Sequence, residues 1–211
     1  MDTTENTHIV IQLGKLFTLL FMMMGPVGTM STFHALTRDA DGAMRRRIAI
    51  RAALYAAAAM AVAVAVGASV LRAWGASQAS LIIAVGMLLL LSALSQLPSR
   101  QDSGGHGQVA TLGLATALSP LAFPGIVTPH AVGVLIIFTT FLTKPAQLFA
   151  ILGISLGIIV LDLFSMLCAR VVMSWVGIAP LRILGAVFGV LQVALGIEFI
   201  ISGIRFTGIV H

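Results

Sequence analysis

Ser119-Pro120-Leu121-Ala122-Phe123-Pro124-Gly125-Ile126-Val127-Thr128-Pro129-His130 decides how the rest of this chain is read: three prolines and a glycine in the middle of an apolar run. From Val109 to Thr143 there is no Asp, Glu, Arg or Lys, and only His130 can titrate, so the run reads as membrane-embedded. It cannot be one straight helix. About 35 helical residues would reach about 50 Å, whereas a bilayer core is about 30 Å thick and is crossed by about 20 residues. Pro120, Pro124 and Pro129 each lack a backbone donor and clash with the preceding turn, so the helix must break. Broken backbone at membrane depth is tolerated only where protein or a water-filled cavity satisfies the freed groups, which makes the stretch a candidate site.

The whole composition agrees with a bilayer setting. Of 211 residues, 59% are apolar and 9% charged, and the mean hydropathy is +1.07. Several runs of 18 or more residues carry almost no charge, the mark of a polytopic integral membrane protein. The formal charge of +5 does not point to nucleic acid, because five of twelve basic residues crowd into Arg38 to Arg51 beside apolar spans, where they act as a topology signal. The single cysteine, Cys168, excludes an internal disulfide and a Cys-rich metal site. Met1 to His8 holds Asp2 and Glu5 and no basic residue, so no cleavable signal peptide is expected.

Apolar segments fall at about 9–36, 48–71, 79–97, 109–143, 147–169 and 181–204. The first is also long and also interrupted, by Gly25-Pro26-Val27-Gly28. Trp74-Gly75 and Trp175-Val176-Gly177 occupy similar places before the last span of each half. The expectation is an all-α membrane protein: six transmembrane helices as two inverted three-helix repeats, with helices one and four broken. Residues 1–97 form the first repeat, 98–108 (Pro98 to Gln108) a cytoplasmic linker, and 109–211 the second repeat. Eight basic residues follow spans one, three and five, against four on the other side, which puts both termini outside.

Thr128-Pro129 and Ser119-Pro120 place a capping hydroxyl before a proline, the arrangement that starts a helix. A helix that starts inside the membrane aims free amides and the positive end of its dipole at the cavity, which suits a carboxylate. The expected substrate-binding set is Gly25, Pro26, Gly28, Thr29, Gly125, Thr128, Pro129 and His130, with the hydroxyls of Ser31 and Thr32 nearby. A plain proline kink that only shapes packing is the alternative. Lys15, Asp162 and Glu198 are the remaining charges inside spans, for coupling or for structure. Lys15 and Glu198 sit at matching depth and could pair; Asp162, placed toward the inner third of span five, has no obvious partner except hydroxyls such as Ser165.

Several chemistries are not encoded. Gly153-Ile154-Ser155-Leu156-Gly157 matches a nucleophile pattern, but it lies inside an apolar helix and not at a strand-to-helix elbow. Gly153 to Gly157 and Gly185 to Gly189 read instead as small-residue helix contacts. There is no zinc-protease, P-loop or dinucleotide fingerprint, so neither an enzyme nor an ATP-driven pump is expected, and no cofactor or metal. The Arg45-Arg46-Arg47 run reads as an inner-surface anchor, with a lipid-headgroup site second.

With Gly25-Pro26-Val27-Gly28-Thr29 in the first span, Ser119 to Pro129 in the fourth, Leu181-Arg182-Ile183-Leu184-Gly185 opening the last and Glu198-Phe199-Ile200 with Gly203 near its end, the chain resembles the MarC family of bacterial inner-membrane proteins. The resemblance runs from about Leu16 to about Arg205. It implies a six-span carrier of the neutral amino-acid transporter kind; the family's multiple-antibiotic-resistance name does not by itself establish drug export. Members typically carry asparagines where Gly25 and Thr29 stand, glycines where Thr128 and His130 stand, and often an arginine at Ile82. The expectation is therefore a divergent secondary transporter of small neutral amino acids or similar zwitterions, with proton coupling as an option. Its partners would be a small-molecule substrate, membrane lipid and a second copy of the chain as a possible homo-oligomer. A non-transporting membrane interaction module and an exporter of hydrophobic compounds remain the alternatives.

Overall fold

The computed structural model describes residues 3–96, 118–142, 144–176 and 178–208, and among these every regular element is helical. In chain order they are α1 (Thr3–Met24), α2 (Pro26–Leu36), α3 (Gly42–Ala73), α4 (Gln78–Gln96), a π-helical segment (Leu118–Ile126), α5 (Pro129–Phe141), α6 (Pro145–Val176) and α7 (Ile178–Phe206). The Pro98 to Gln108 connection and Gly177 lie outside the described residues.

Among the described residues four stretches are long and apolar enough to cross a membrane: Ile11–Leu36, which runs through the α1–α2 break, Gly42–Ala73, Pro145–Ser174 and Ile183–Phe206. Gln78–Leu94 and Pro129–Phe141 are apolar but shorter. The 13 residues of α5 reach only about 20 Å, so this helix crosses a bilayer only together with the segment before it. Helices extend past the apolar runs because capped and amphipathic ends continue them. Asp41, for example, accepts a 2.7 Å bond from the Met44 amide and starts α3 seven residues before the apolar run at 48.

The helices pack as α4 on α7, α3 on α6, and α2 on α6, with α5 and the π-helical segment held between α1, α2, α3 and α4. The core runs through Leu16, Leu20, Ile48, Met60, Leu121, Ile126, Leu135, Ile151 and Ile158, all fully buried. The outer surface is apolar as well: Phe149 is 73% exposed, Phe164 66% and Val190 69%. In water such a surface would drive aggregation; against lipid tails it is the compatible solvent face.

In a bilayer the apolar surface of a helix gains little by leaving lipid, so close approach of backbones decides which helices pair. Gly86 on α4 meets Gly196 on α7: a β-carbon at Gly86 would lie 2.6 Å from the Gly196 carbonyl oxygen, and one at Gly196 would lie 2.9 Å from the Gly86 carbonyl oxygen. Gly203 repeats the contact farther along, 3.1 Å from the Ala79 carbonyl. The glycine pairs expected to make helix contacts do not. A β-carbon at Gly153, Gly157, Gly185 or Gly189 would meet nothing within 4 Å, because those faces of α6 and α7 turn away from neighbouring helices. Spacing along one helix marks a smooth face without saying whether another helix covers it.

Gly86→Ala is expected to force α4 and α7 apart at a backbone-to-backbone contact and to cost about 1–3 kcal/mol, whereas Gly153→Ala has room for its methyl group. Thermal unfolding of the two variants in detergent should show a lowered transition for the first and an unchanged or raised one for the second.

Candidate functional site

Pro26 ends α1 because it has no N–H for the turn above and its ring displaces that turn. It then serves as the first residue of α2, where a missing donor costs nothing. Gly25 between them still donates to the Phe21 carbonyl at 3.0 Å, and its own carbonyl takes the amides of Gly28 and Thr29 at 3.1 and 3.3 Å. Gly25 offers no side-chain cap to α2. Instead the Thr29 hydroxyl turns back and donates to the carbonyls of Met24, at 3.2 Å, and Gly25, at 3.3 Å. One hydroxyl thus closes over the acceptors that the break exposes.

The second break is built differently. The π-helical segment holds Pro124 within it, and the Val127 amide closes on the Ala122 carbonyl at 2.9 Å, five residues back. The chain is then extended at Thr128, whose hydroxyl accepts the Ala131 amide at 3.3 Å, and Pro129 opens α5. Thr128 is therefore the helix cap that the sequence predicts. Pro129 has no amide to give, so the Gly125 carbonyl lacks the donor that a continuing helix would supply. The side chain of Ser119 lies outside the described residues.

The two breaks are brought together: α2 packs on the π-helical segment and α1 on α5. His130, 3% exposed, lies against the backbone of Met23, one residue before the end of α1, and its Nε2 has no hydrogen-bond partner. Thr29, also 3% exposed, faces Asp162 of α6. Asp162 is wholly buried, and neither carboxyl oxygen holds a hydrogen bond among the described residues; the Thr29 hydroxyl beside it donates to the Met24 and Gly25 carbonyls.

The Thr29–Asp162 juxtaposition is the feature that sequence reasoning missed. The apolar run 147–169 puts Asp162 in its last third, whereas α6 spans Pro145–Val176, so that along the helix itself Asp162 lies near the midpoint.

The other expected residues divide by position. Gly25 is partly buried at the first break and Gly125 partly buried in the π-helical segment, while Gly28 and Pro129 are exposed and shape the backbone path. Of the hydroxyls near the first break only Thr29 is turned inward; Ser31 bonds the Gly28 carbonyl at 2.9 Å and Thr32 is exposed. Lys15 and Glu198 do not pair. Both are exposed, Glu198 accepts a 3.4 Å bond from Ser202 on its own helix, and α1 packs on α5 and α6 whereas α7 packs chiefly on α4. Equal depth was a necessary condition for that pair, and the helix faces do not meet it.

Relatives place the chain in a family of membrane proteins. The UPF0056 membrane protein MJ1677 of Methanocaldococcus jannaschii is 31% identical over 199 residues, covering 90% of this chain and 94% of that protein. A UPF0056 membrane protein of Buchnera aphidicola from Schizaphis graminum is 26% identical, covering 93% and 94%. The UPF0056 membrane protein YhcE of Escherichia coli is 25% identical, covering 90% and 91%. No solved structure matches the chain. The sequence pattern of the MarC family of integral membrane proteins matches residues 10–207, nearly the whole length, and this chain belongs to that family.

Proposed function

We propose that this protein is a secondary transporter of a small zwitterionic solute, such as glycine, alanine or serine, in the bacterial inner membrane. The observation that carries the reading is the buried, unpartnered Asp162 carboxyl group beside Thr29, where two broken helices meet. An unpaired carboxylate inside a membrane protein is costly and marks a path for ions, protons or charged solutes. A zwitterion supplies what each part of this site lacks. Its ammonium group answers Asp162, and its carboxylate lies at the helix starts after Gly25 and Thr128, where amides and dipoles favour negative charge. Gly25 and Gly125 let it approach the backbone, Thr29 and Thr128 orient it, and His130 closes the site from α5. Proton coupling would use Asp162 or His130, the two inward titratable groups at the junction.

The reading includes six crossings arranged as two inverted three-helix repeats, with both termini outside. The packing supports it: most of the helix contacts have a counterpart when the first three crossings are exchanged with the last three. On that exchange α4–α7 and α3–α6 map onto themselves, α1–α6 is answered by α3 on the π-helical segment, α2–α6 by α3–α5, α1–α5 by α2 on the π-helical segment, and α4–α5 by α2–α7, whereas the smaller α5–α6 and α6–α7 contacts have no counterpart of similar extent among the described residues. The reciprocal Gly86–Gly196 contact is what a local two-fold axis between α4 and α7 would give. Alternating access would then be a rocking of one repeat against the other about the junction of the breaks.

Exchange uptake of labelled glycine, alanine and serine into proteoliposomes, with and without a pH gradient, tests the proposal. Saturable uptake is expected for at least one of them. Asp162→Asn should lower it roughly tenfold or more, the scale of losing a hydrogen bond to a charged group, and Pro129→Ala should abolish turnover by restoring the helix. Lys15→Gln, at an exposed position, should leave it near the wild-type rate. Uptake unaffected by Asp162→Asn and Pro129→Ala in folded protein, or no uptake of any of the three, would contradict it and favour a membrane interaction module or a different cargo.

A further inference from the structure

At the end of the bundle where α2 stops and α3 begins, a cavity of about 250 Å³ opens between α2, the first turns of α3 and the last turns of α6. Its polar lining is Arg45 and Arg46 from α3, Arg170 from α6, and His34 and Thr37 from α2. Arg45 is partly buried, and none of the three guanidinium groups has a hydrogen-bond or ion-pair partner among the described residues. Two acids stand in the connection before α3: Asp41 caps α3 through the Met44 amide, and Asp39 is exposed and is not part of the cavity lining. The Thr37 hydroxyl donates to the Phe33 carbonyl at 2.7 Å, which leaves its lone pairs and not its hydrogen for a ligand.

Surface anchoring alone does not need this geometry. Arginines that only mark topology need no shared concave site, and Arg47 stands on an exposed face outside the cavity. Here three arginines from two helices far apart in sequence, Arg45 partly buried and Arg46 and Arg170 exposed, line one concave space whose lining holds no acidic residue. Guanidinium forks match phosphate oxygens in pairs, and a cluster of them with no acid between is a receptor for a compact oxyanion. The apolar side chains of Leu167, 48% exposed, and Val171, 63% exposed, flank the same opening on α6. A ligand that presents a phosphate to the arginines and a chain to these residues would match the basic and the apolar parts of the lining.

We infer that this basic cavity is a binding site for a phosphate group, separate from the centre where the broken helices meet and independent of what that centre carries. The phosphate has two possible sources, the headgroup of an anionic phospholipid and a free phosphate ion or ester in the aqueous phase. The lining is the same for either. Occupancy would tie α2, the short helix after the first break, to the ends of α3 and α6, so the bound group would also steady the α2 side of the junction.

Purified full-length protein in a neutral detergent is titrated with phosphatidylglycerol, with phosphatidylcholine and with inorganic phosphate, and binding is read from the thermal transition. Saturable stabilisation by phosphatidylglycerol and not by phosphatidylcholine is expected. It should weaken roughly fivefold for each guanidinium removed in Arg45→Gln, Arg46→Gln and Arg170→Gln, recover in part in the corresponding lysine variants, and stay unchanged in Arg47→Gln. The same pattern with inorganic phosphate would support the site with a water-borne ligand as its source. The ligand-free transition of each variant reports whether it is folded. Binding of neither probe to folded wild-type protein, or an equal loss in Arg47→Gln and Arg45→Gln, would overturn the inference, since the latter is the behaviour of general surface charge.

Discussion

A backbone that breaks inside a bilayer must find every lost hydrogen-bond partner within the protein, and the arrangement around Gly25 and Thr128 follows from that requirement. Pro26 and Pro129 each interrupt the helical path, and the backbone groups left at the ends are met by a different device at each place. The Thr29 hydroxyl folds back over Met24 and Gly25 at the first, and a π-helical turn followed by the Thr128 cap completes the second. Neither break would survive facing lipid. Each is covered by the other half of the chain, with α1 on α5, α2 on the π-helical segment, and α3 and α6 alongside. The long unbroken helices form the frame, and the glycine contacts of α4 with α7 bring their backbones close enough to brace it.

The same requirement concentrates polar chemistry at the centre. Thr29, His130 and Asp162 are among the buried polar side chains, and two of them keep atoms without a hydrogen-bond partner among the described residues. A protein that had broken its helices only to bend them would be expected to leave the space apolar.

Much of this could be read from residue types and spacing. The prolines marked both breaks to the residue, the Thr128-Pro129 pair identified a helix start, and composition fixed the membrane setting. What could not be read depended on rotation and on helix ends. Lys15 and Glu198 share a depth, yet their helices turn them outward on separate faces. Gly153 and Gly157 have contact spacing on a face that none of the described helices covers, while the closest approach to a neighbouring backbone belongs to Gly86 and Gly196, which have no common motif. The apolar run around Asp162 ends before α6 does, so composition does not show where along the helix the residue lies. A π-helical turn has no composition of its own and is visible only as the five-residue closure from Val127 to Ala122. Arg45 and Arg170 carry no signal that they share a cavity until α3 and α6 are packed.

The central claim is that the junction of the breaks is a solute site reached from water, and cysteine accessibility at Thr29 tests it most directly. In a Cys168→Ser background, Thr29→Cys in proteoliposomes is exposed to a small membrane-impermeant thiol reagent, with and without saturating serine. The account predicts labelling that the solute slows, alongside an unlabelled control at a buried packing position such as Ala52. A Thr29→Cys side chain that is never labelled, or is labelled at a rate that neither serine, alanine nor glycine alters, would contradict it.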